Sequence, residues 1–182
     1  MHPFIAALII VLVLPIGTPA HAAENWRQAV GPWHWSFPRD HGAHPEFRTE
    51  WWYFTGNLRD AAGNRYGYQL TFFRQGVRMK PSDPGNPWSL RDLYPAHFAV
   101  TDARNGAFHY AEQITRSGPG LAGAQTGGMN VWNLGWSARM TGDRIALRAR
   151  HGEMELSLDL APRKLLVLHG DRGLSRKGPG KG

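Results

Sequence analysis

The stretch Thr49–Leu58, TEWWYFTGNL, predicts a β-strand that carries a carboxylate on an apolar face. Side chains alternate along a strand, so Glu50 shares one face with Trp52, while Trp51 and Tyr53 lie on the other. Large aromatic side chains on both sides predict that both faces are covered by the rest of the protein. A buried carboxylate needs a hydrogen-bonding partner or takes up a proton. Glu50 is therefore the first candidate for a functional residue.

Seven more stretches follow with alternating or continuous apolar residues between turn signals, which predicts strands. They are residues 65–77, 96–103, 107–115, 130–140, 144–150, 153–160 and 164–170. Eight antiparallel strands in chain order favour an all-β, up-and-down barrel over about 49–170, because closing the sheet removes its exposed edges. No convincing helical period occurs after Thr49.

The interior of such a barrel leaves two alternatives open. Its inward side chains either fill it completely or leave a cup for one apolar small molecule. On the strand 130–140 one face carries large residues, and Trp136 among them is expected to line the interior. That face holds Trp132, Leu134, Trp136, Ala138 and Met140. On the strand 153–160 the expected inward residues are Met154, Leu156, Leu158 and Leu160.

The N-terminus predicts export to the periplasm or the medium. Residues 4–14 form an apolar run of signal-peptide length, and Ala20, His21 and Ala22 form a small-residue cleavage site. We expect a signal at 1–22 and an irregular lead-in at 23–48. The sequence has no cysteine, so disulfides and thiol chemistry are excluded.

The net charge of +7 is concentrated near the C-terminus. Residues 163–182 hold six Lys or Arg and one Asp, which gives +5, and the rest of the chain is nearly neutral. A short basic tail with Gly and Pro, here 171–182, is typical of a solvated segment, so nucleic-acid binding is not expected.

The loop before the first strand contains residue types that suit several sites. They are Asp40, His41, His44, Glu46 and Glu50. Three interpretations are open. The cluster binds a metal ion, its members are ordinary polar loop residues, or His44 and Glu50 form a buried hydrogen-bonded pair. Two strand histidines are expected to be ordinary sheet residues, with His97 opposite about 114 and His109 opposite about 102. No phosphate-binding, dinucleotide-binding or nucleophile-elbow motif is present.

Four segments together resemble the N-terminal half of the AttH and carotenoid 1,2-hydratase family. They are FPRDHGAHPEFRTEWWYFTGNL, GYQLTFFR, LYPAHFAVTD and LVLHGDRGLSRKG, within residues 37–178, and EWWYFTG is the most specific. The resemblance implies an exported or envelope protein built from lipocalin-like barrels, of which this sequence contains the first. The second barrel, with its motif of the type WMDHEW, does not occur in this sequence.

The resemblance also implies a function and a set of residues. We expect an apolar ligand, a polyene or lipid, and no cofactor or metal. Alternatively, joined to a second barrel, the domain is a cofactor-independent hydratase, lyase or hydrolase with His44 and Glu50 as acid–base residues. A second barrel or an envelope ABC transporter is the expected protein partner. The expected ligand-binding residues are Trp52, Tyr53, Gln69, Arg74 and His97, together with Trp136.

Overall fold

The chain folds into two antiparallel β-sheets that pack against each other, as seen in a computed structural model that describes residues 25–175 and 178. The first sheet consists of β1 (Thr49–Arg59), β2 (Arg65–Gly76), β3 (Asp92–Asp102) and β4 (Ala107–Arg116). The second consists of β5 (Ala122–Ala124), β6 (Asn130–Asn133), β7 (Trp136–Thr141), β8 (Arg144–His151) and β9 (Met154–Leu160). A short 3-10 helix, Arg39–His41, precedes β1. The all-β prediction is confirmed.

The signal predicted at 1–22 lies outside the described residues, as does half of the basic tail. Within the described ranges, no helix is long and apolar enough to cross a membrane.

The closed eight-stranded barrel is not found in the described part of the chain. No strand ladder there joins the two sheets, and side chains connect them instead. The buried Asn133 on β6 donates from Nδ2 to the backbone carbonyl of Tyr94 on β3, and Gln113 Nε2 on β4 donates to the Asn133 carbonyl at 2.8 Å. The strand predicted at 164–170 does not form, so β9 remains an edge strand. Pro162 follows β9 and has no N–H to continue a ladder.

The stretch 130–140 is two strands and not one. Residues Leu134 and Gly135 form a tight turn, in which Leu134 has φ 49° and is exposed. The turn changes the phase of the alternation, so Val131 and Asn133 face inward before it and Trp136 and Ala138 after it. The predicted face with Trp132 and Leu134 was therefore wrong for that half. The glycine-rich loop before it contains β5, which was not predicted.

The hairpin between β3 and β4 is shifted by two residues relative to the prediction. Strand β3 begins at Asp92, and its loop is centred nearer Arg104, so His97 pairs with Glu112 and His109 with Val100. The two histidines still do not pair with each other.

The core lies between the sheets and is filled by apolar side chains of both. Leu70, Phe72 and Phe98 come from the first sheet and meet Val131 and Trp136 of the second, all almost fully buried. The rings of Phe98 and Trp136 contact edge to face, with centroids 5.7 Å apart. In β9 the predicted alternation is confirmed, with Leu156 buried and the residues beside it exposed. Around Phe98 and Trp136 the space between the sheets is therefore filled by side chains and leaves no cavity for a ligand.

The outer face of the first sheet is open. Trp51 is 56% exposed and Tyr53 is 54% exposed, because no layer covers this face within the described residues. The prediction that both faces of β1 are covered was wrong, and only the Glu50 and Trp52 face is buried.

Candidate functional site

The loop that carries His44 is fixed against the second sheet before β1 begins. The backbone N–H of Ala43 donates to the carbonyl of Gln125 at 2.8 Å. Gly42 permits this approach, since a Cβ at that position would lie 2.7 Å from Gly128 N and 2.8 Å from Gln125 O. Trp52 Nε1 of β1 donates to the His41 carbonyl at 3.0 Å. The loop therefore bridges both sheets.

Glu50 holds this loop from β1. The backbone N–H of His44 lies 3.0 and 2.9 Å from the two Glu50 carboxylate oxygens. The His44 ring nitrogen Nδ1 lies 2.6 Å from Glu50 Oε1. Arg74 Nε donates to Glu50 Oε2 at 3.3 Å. His44, the predicted partner of Glu50, thus contacts it, and so does Arg74.

Arg74 is the most deeply buried charged residue in this region, and its guanidinium connects four segments. It lies directly opposite Glu50 in the β1–β2 ladder. Nη1 donates to Asp92 Oδ1 at 3.1 Å, and Nη2 donates to the carbonyls of His44 and Phe47 at 3.1 and 2.6 Å. Its side chain is 2% exposed. A buried cation with two carboxylates and two carbonyls is fully paired, which gives Arg74 a structural role behind the site.

Asp40 approaches the other side of the His44 ring. Its carboxylate lies 3.4 Å from His44 Nε2 and accepts hydrogen bonds from Arg39, from the Ser36 N–H at 2.6 Å and from Trp33 Nε1 at 3.3 Å. The Arg39 guanidinium, helped by these further donors, holds the pKa of the Asp40 carboxyl well below its usual range despite its burial. Asp40 is therefore a fixed negative charge.

The two carboxylates favour a protonated His44. The hydrogen bond to Glu50 raises the pKa of the His44 imidazole above its ordinary value, and burial only partly offsets this effect. Both ring nitrogens face a carboxylate, and the side chain is still 20% exposed. As arranged, the imidazolium is held in place, and proton transfer to a ligand requires it to turn away from Asp40, the more distant partner.

A pocket of about 700 Å³ lies over this group. His44, Glu50 and Asp40 line one wall, and aromatic side chains line much of the rest. The aromatic and apolar lining residues are Trp33, Trp35, Phe47, Trp51, Trp52, Val30, Met129 and Leu174. Trp33 contacts the His44 ring edge to face at 5.5 Å, and Arg27 lies over Trp33 at 4.7 Å. This pocket can hold a mainly apolar molecule beside one polar, charged wall.

A second cavity, of about 890 Å³, lies at the other end of the sheets. Its inner wall includes Leu58, Val100 and Met154 from both sheets. It contains none of the predicted site residues and no hydrogen-bonded acid–base group, so we place the candidate site at the smaller pocket. Size alone does not identify chemistry.

The structure brings together only part of the predicted set. His44, Glu50 and Trp52 line the candidate pocket, and Arg74 lies behind it. Trp136 is in the packed core, where Nε1 donates to the Arg150 carbonyl. Away from the pocket, on the outer face of the first sheet, are Tyr53, Gln69 and His97. The catalytic and ligand-binding roles of these residues remain predictions.

Several pocket residues were not predicted from the sequence. Trp33, Trp35 and Phe47 come from the irregular lead-in, and Met129 from a loop of the second sheet. The only sequence signal was the density of aromatic residues at 26–37, which gives no geometry in a segment without strand or helix. In the described ranges, no group of three His, Cys, Asp or Glu is arranged to hold a metal ion.

Comparison with known proteins identifies the family. The sequence model of the AttH-like family matches residues 28–182. The chain belongs to the AttH-like family. Among solved structures, an AttH candidate from Nitrosomonas europaea is 37% identical, with a TM-score of 0.69. The match covers 84% of this AttH-like chain and 45% of that one, so it spans less than half the length of that solved relative. No curated protein matches it.

Proposed function

We propose that this AttH-like domain binds an apolar ligand, of the polyene or lipid class, in the pocket beside His44 and Glu50. The supporting observation is a cavity of about 700 Å³ whose walls include four tryptophans, the charged group of Asp40, His44 and Glu50, and Arg27. Aromatic walls contribute apolar contact area at low entropic cost, and a few polar groups orient the ligand. The packed core around Trp136 makes this pocket a better ligand site than the space between the sheets at that level.

The ligand is expected to meet the pocket with its polar end toward His44. Asp40, Glu50 and Asp92 balance Arg39, His44 and Arg74, so the wall carries no large uncompensated charge. A hydroxyl or carbonyl group suits such a wall better than a fully ionised head group. In an exported protein this chemistry fits a carrier or an envelope accessory domain.

The second candidate is a cofactor-independent hydratase, lyase or hydrolase, formed when the domain is joined to a second barrel. It is favoured by the raised pKa of His44 at the wall of the pocket. An imidazolium donates a proton to a carbon–carbon double bond, water adds to the resulting cation, and the imidazole takes back one proton from the added water. The candidates are distinguished by fusing the chain to the unmatched part of the N. europaea protein, incubating the fusion with an acyclic carotenoid and analysing the product by mass, because only the enzyme adds one water.

Binding is tested by titrating the protein with an acyclic carotenoid and with hexadecanol, whose head group is an uncharged hydroxyl, while tryptophan fluorescence is recorded. Trp51→Ala, in the pocket wall, should weaken binding about tenfold, the loss typical of one aromatic contact. Trp88→Ala is the matched control, because Trp88 is 52% exposed, close to the 56% of Trp51, and does not line this pocket. Equal affinity of the two variants contradicts the proposed site, and absence of binding to both probes contradicts the ligand class.

A further inference from the structure

The larger cavity, of about 890 Å³, is lined by residues from the ends of three β-hairpins, β1–β2, β3–β4 and β8–β9. It shares no lining residue with the pocket beside His44, so a ligand bound here is independent of the proposed function. Cavities that hold small organic ligands commonly measure about 300 to 1,000 Å³. The larger cavity therefore has room for a ligand of its own.

Tyr68 presents an unused hydrogen-bonding group to this cavity. The residue lines the cavity from β2 and is 9% exposed. Its ring extends over β1, because a Cβ at Gly56 would lie 2.9 Å from Tyr68 Cε1 and 3.3 Å from its Oη. The Tyr68 carbonyl accepts from Thr55 Oγ1, but within the described structure its hydroxyl has no hydrogen-bond partner. A buried hydroxyl without a partner is unfavourable, so it favours a ligand that places a polar atom beside it.

Aromatic rings form much of the remaining wall. Tyr66, Phe108 and Tyr110 line the cavity together with Tyr68. The rings of Phe108 and Tyr110 lie on the edge strand β4 with their centroids 6.5 Å apart and their planes 16° from parallel. Both side chains are exposed at the rim. The faces of such rings attract organic cations.

The charged groups of the cavity point to the same ligand class. Among its described lining residues there is no Lys or Arg, although the chain has a formal net charge of +7. The acidic lining residues are Asp102, Glu153 and Glu155. Asp102 is neutralised by Arg104, whose Nη2 lies 2.5 Å from Asp102 Oδ2, whereas Glu153 and Glu155 make no ion pair within the described structure. Two carboxylates at the rim are thus available to a positively charged ligand.

We infer that this cavity binds an organic ammonium ion whose apolar body carries one hydrogen-bonding group. The ammonium lies at the rim, beside Glu153 and Glu155 and near the ring of Phe108. The body covers the apolar inner wall, which includes Val100, and its polar group bonds to the Tyr68 hydroxyl. An anion with the same body lacks the attraction at the rim.

The test is a methyl NMR titration with three probes that share one aromatic body. Tyramine carries an ammonium and a hydroxyl, phenethylamine lacks the hydroxyl, and 3-(4-hydroxyphenyl)propionate carries a carboxylate in place of the ammonium. Met154 reports on this cavity, and Met129 reports on the pocket beside His44. A buffer at pH 8 keeps histidine side chains in general uncharged, since His109 and His151 also line the cavity.

Tyramine should shift the Met154 signal and leave the Met129 signal in place. Phenethylamine should bind about fivefold more weakly, as for the loss of one hydrogen bond. The propionate should bind at least about tenfold more weakly than tyramine, because the carboxylates and rings at the rim attract only the cation.

Two variants separate the two parts of the site. Tyr68→Phe should remove the advantage of tyramine over phenethylamine and leave the affinity for phenethylamine unchanged. The double variant Glu153→Gln, Glu155→Gln should weaken both amines about fivefold. Asp143→Asn is the matched control, because Asp143 lies in the β7–β8 turn and does not line the cavity, so both affinities should stay at the wild-type level.

The proposal is overturned if the propionate binds as tightly as tyramine, if Met129 shifts in place of Met154, or if neither amine binds. Tyramine that keeps its advantage in Tyr68→Phe overturns the role of the hydroxyl. If this variant does not retain the wild-type spectrum without probe, the wild-type comparison of tyramine with phenethylamine decides, and equal affinities overturn that role.

Discussion

Glu50 organises the candidate site because it accepts hydrogen bonds from a loop and from a neighbouring strand. The pair with Arg74 was accessible from the sequence, since alternation turns Glu50 inward and a short hairpin loop places Arg74 opposite it. The contact between Asp40 and His44 was not accessible, because it depends on the course of an irregular loop. Local periodicity predicts which residues face each other across a hairpin. It does not predict how an irregular loop packs against a strand.

Replacing Glu50 by Gln keeps the shape of the side chain and removes its charge. Arg74 then retains Asp92 and two carbonyls but loses one carboxylate, and His44 loses its closest partner. We expect Glu50→Gln to lower the free energy of unfolding by about 2 to 3 kcal/mol, as for buried hydrogen bonds to charged groups. Urea denaturation measures this.

Glu46→Gln is the control for that measurement, since Glu46 is more exposed and lies 3.9 Å from Arg27. A loss below about 0.5 kcal/mol is expected there. Equal stability of Glu50→Gln and the wild type, together with loss of ligand binding, would show that Glu50 faces a ligand and has no structural role.

The protonation of His44 gives stability a predictable pH dependence. The pKa of His44 is raised in the folded state, so its contribution is complete below the ordinary value of about 6.5 and is lost as pH rises through the folded pKa. The pKa of Asp40 is lowered in the folded state, so its contribution to stability is complete at neutral pH and is lost as pH falls below about 4. Thermal melts from pH 5 to 9 should show a decline that is reduced in His44→Gln. His151→Gln, an exposed control on the β8–β9 hairpin, should retain the wild-type decline.

At the scale of elements, strands were predictable where alternation is uninterrupted and not where a turn lies inside an apolar run. β1, β2 and β9 were predicted nearly to the residue. The stretch 130–140 was predicted as one strand because leucine is uncommon in turns. Leu134 nevertheless adopts a positive φ in the turn between β6 and β7. The segment 164–168 has a strand's composition, but strand formation also needs a partner edge.

The loop that holds His44 depends on Gly42 for its close approach to the second sheet. An added methyl group meets backbone atoms at 2.7 to 2.9 Å, which cannot move as a side-chain end can. We expect Gly42→Ala to destabilise the protein by about 1 to 3 kcal/mol through overpacking and to displace His44. Gly31→Ala is the control, because nothing lies within 4 Å of its added Cβ. Denaturant melts with the same stability for both variants contradict this account.

For the whole molecule, the two-sheet arrangement follows from the core and not from a continuous ladder. Alternation predicted which side chains point inward, but barrel closure requires backbone pairing between the first and last strands. That pairing depends on loop lengths and partner surfaces, which leave no periodic signal. Strand alternation and the family resemblance both predicted a closed barrel, and neither predicted two separate sheets.

The contact between Phe98 and Trp136 contributes much of the packing between the two sheets. Phe98→Ala should lower the free energy of unfolding by about 3 to 5 kcal/mol, since the site is fully buried and cannot collapse freely. Phe108→Ala, on the same sheet but 65% exposed, should change it by less than about 0.5 kcal/mol. Calorimetry of both variants checks the prediction, and similar melting temperatures would mean that this contact does not hold the sheets together.

The hydrogen bonds of Asn133 should make one end of the two-sheet structure move less than the other. Its side chain and carbonyl tie β6 to β3 and β4 beside Tyr94, whereas the cavity lined by Leu58 and Val100 lies about 20 Å further along β3. Among the described residues, hydrogen bonds thus join the sheets at one end and apolar contacts join them at the other. Thermal breathing should therefore pivot about Asn133 and reach its largest amplitude at the β8–β9 hairpin.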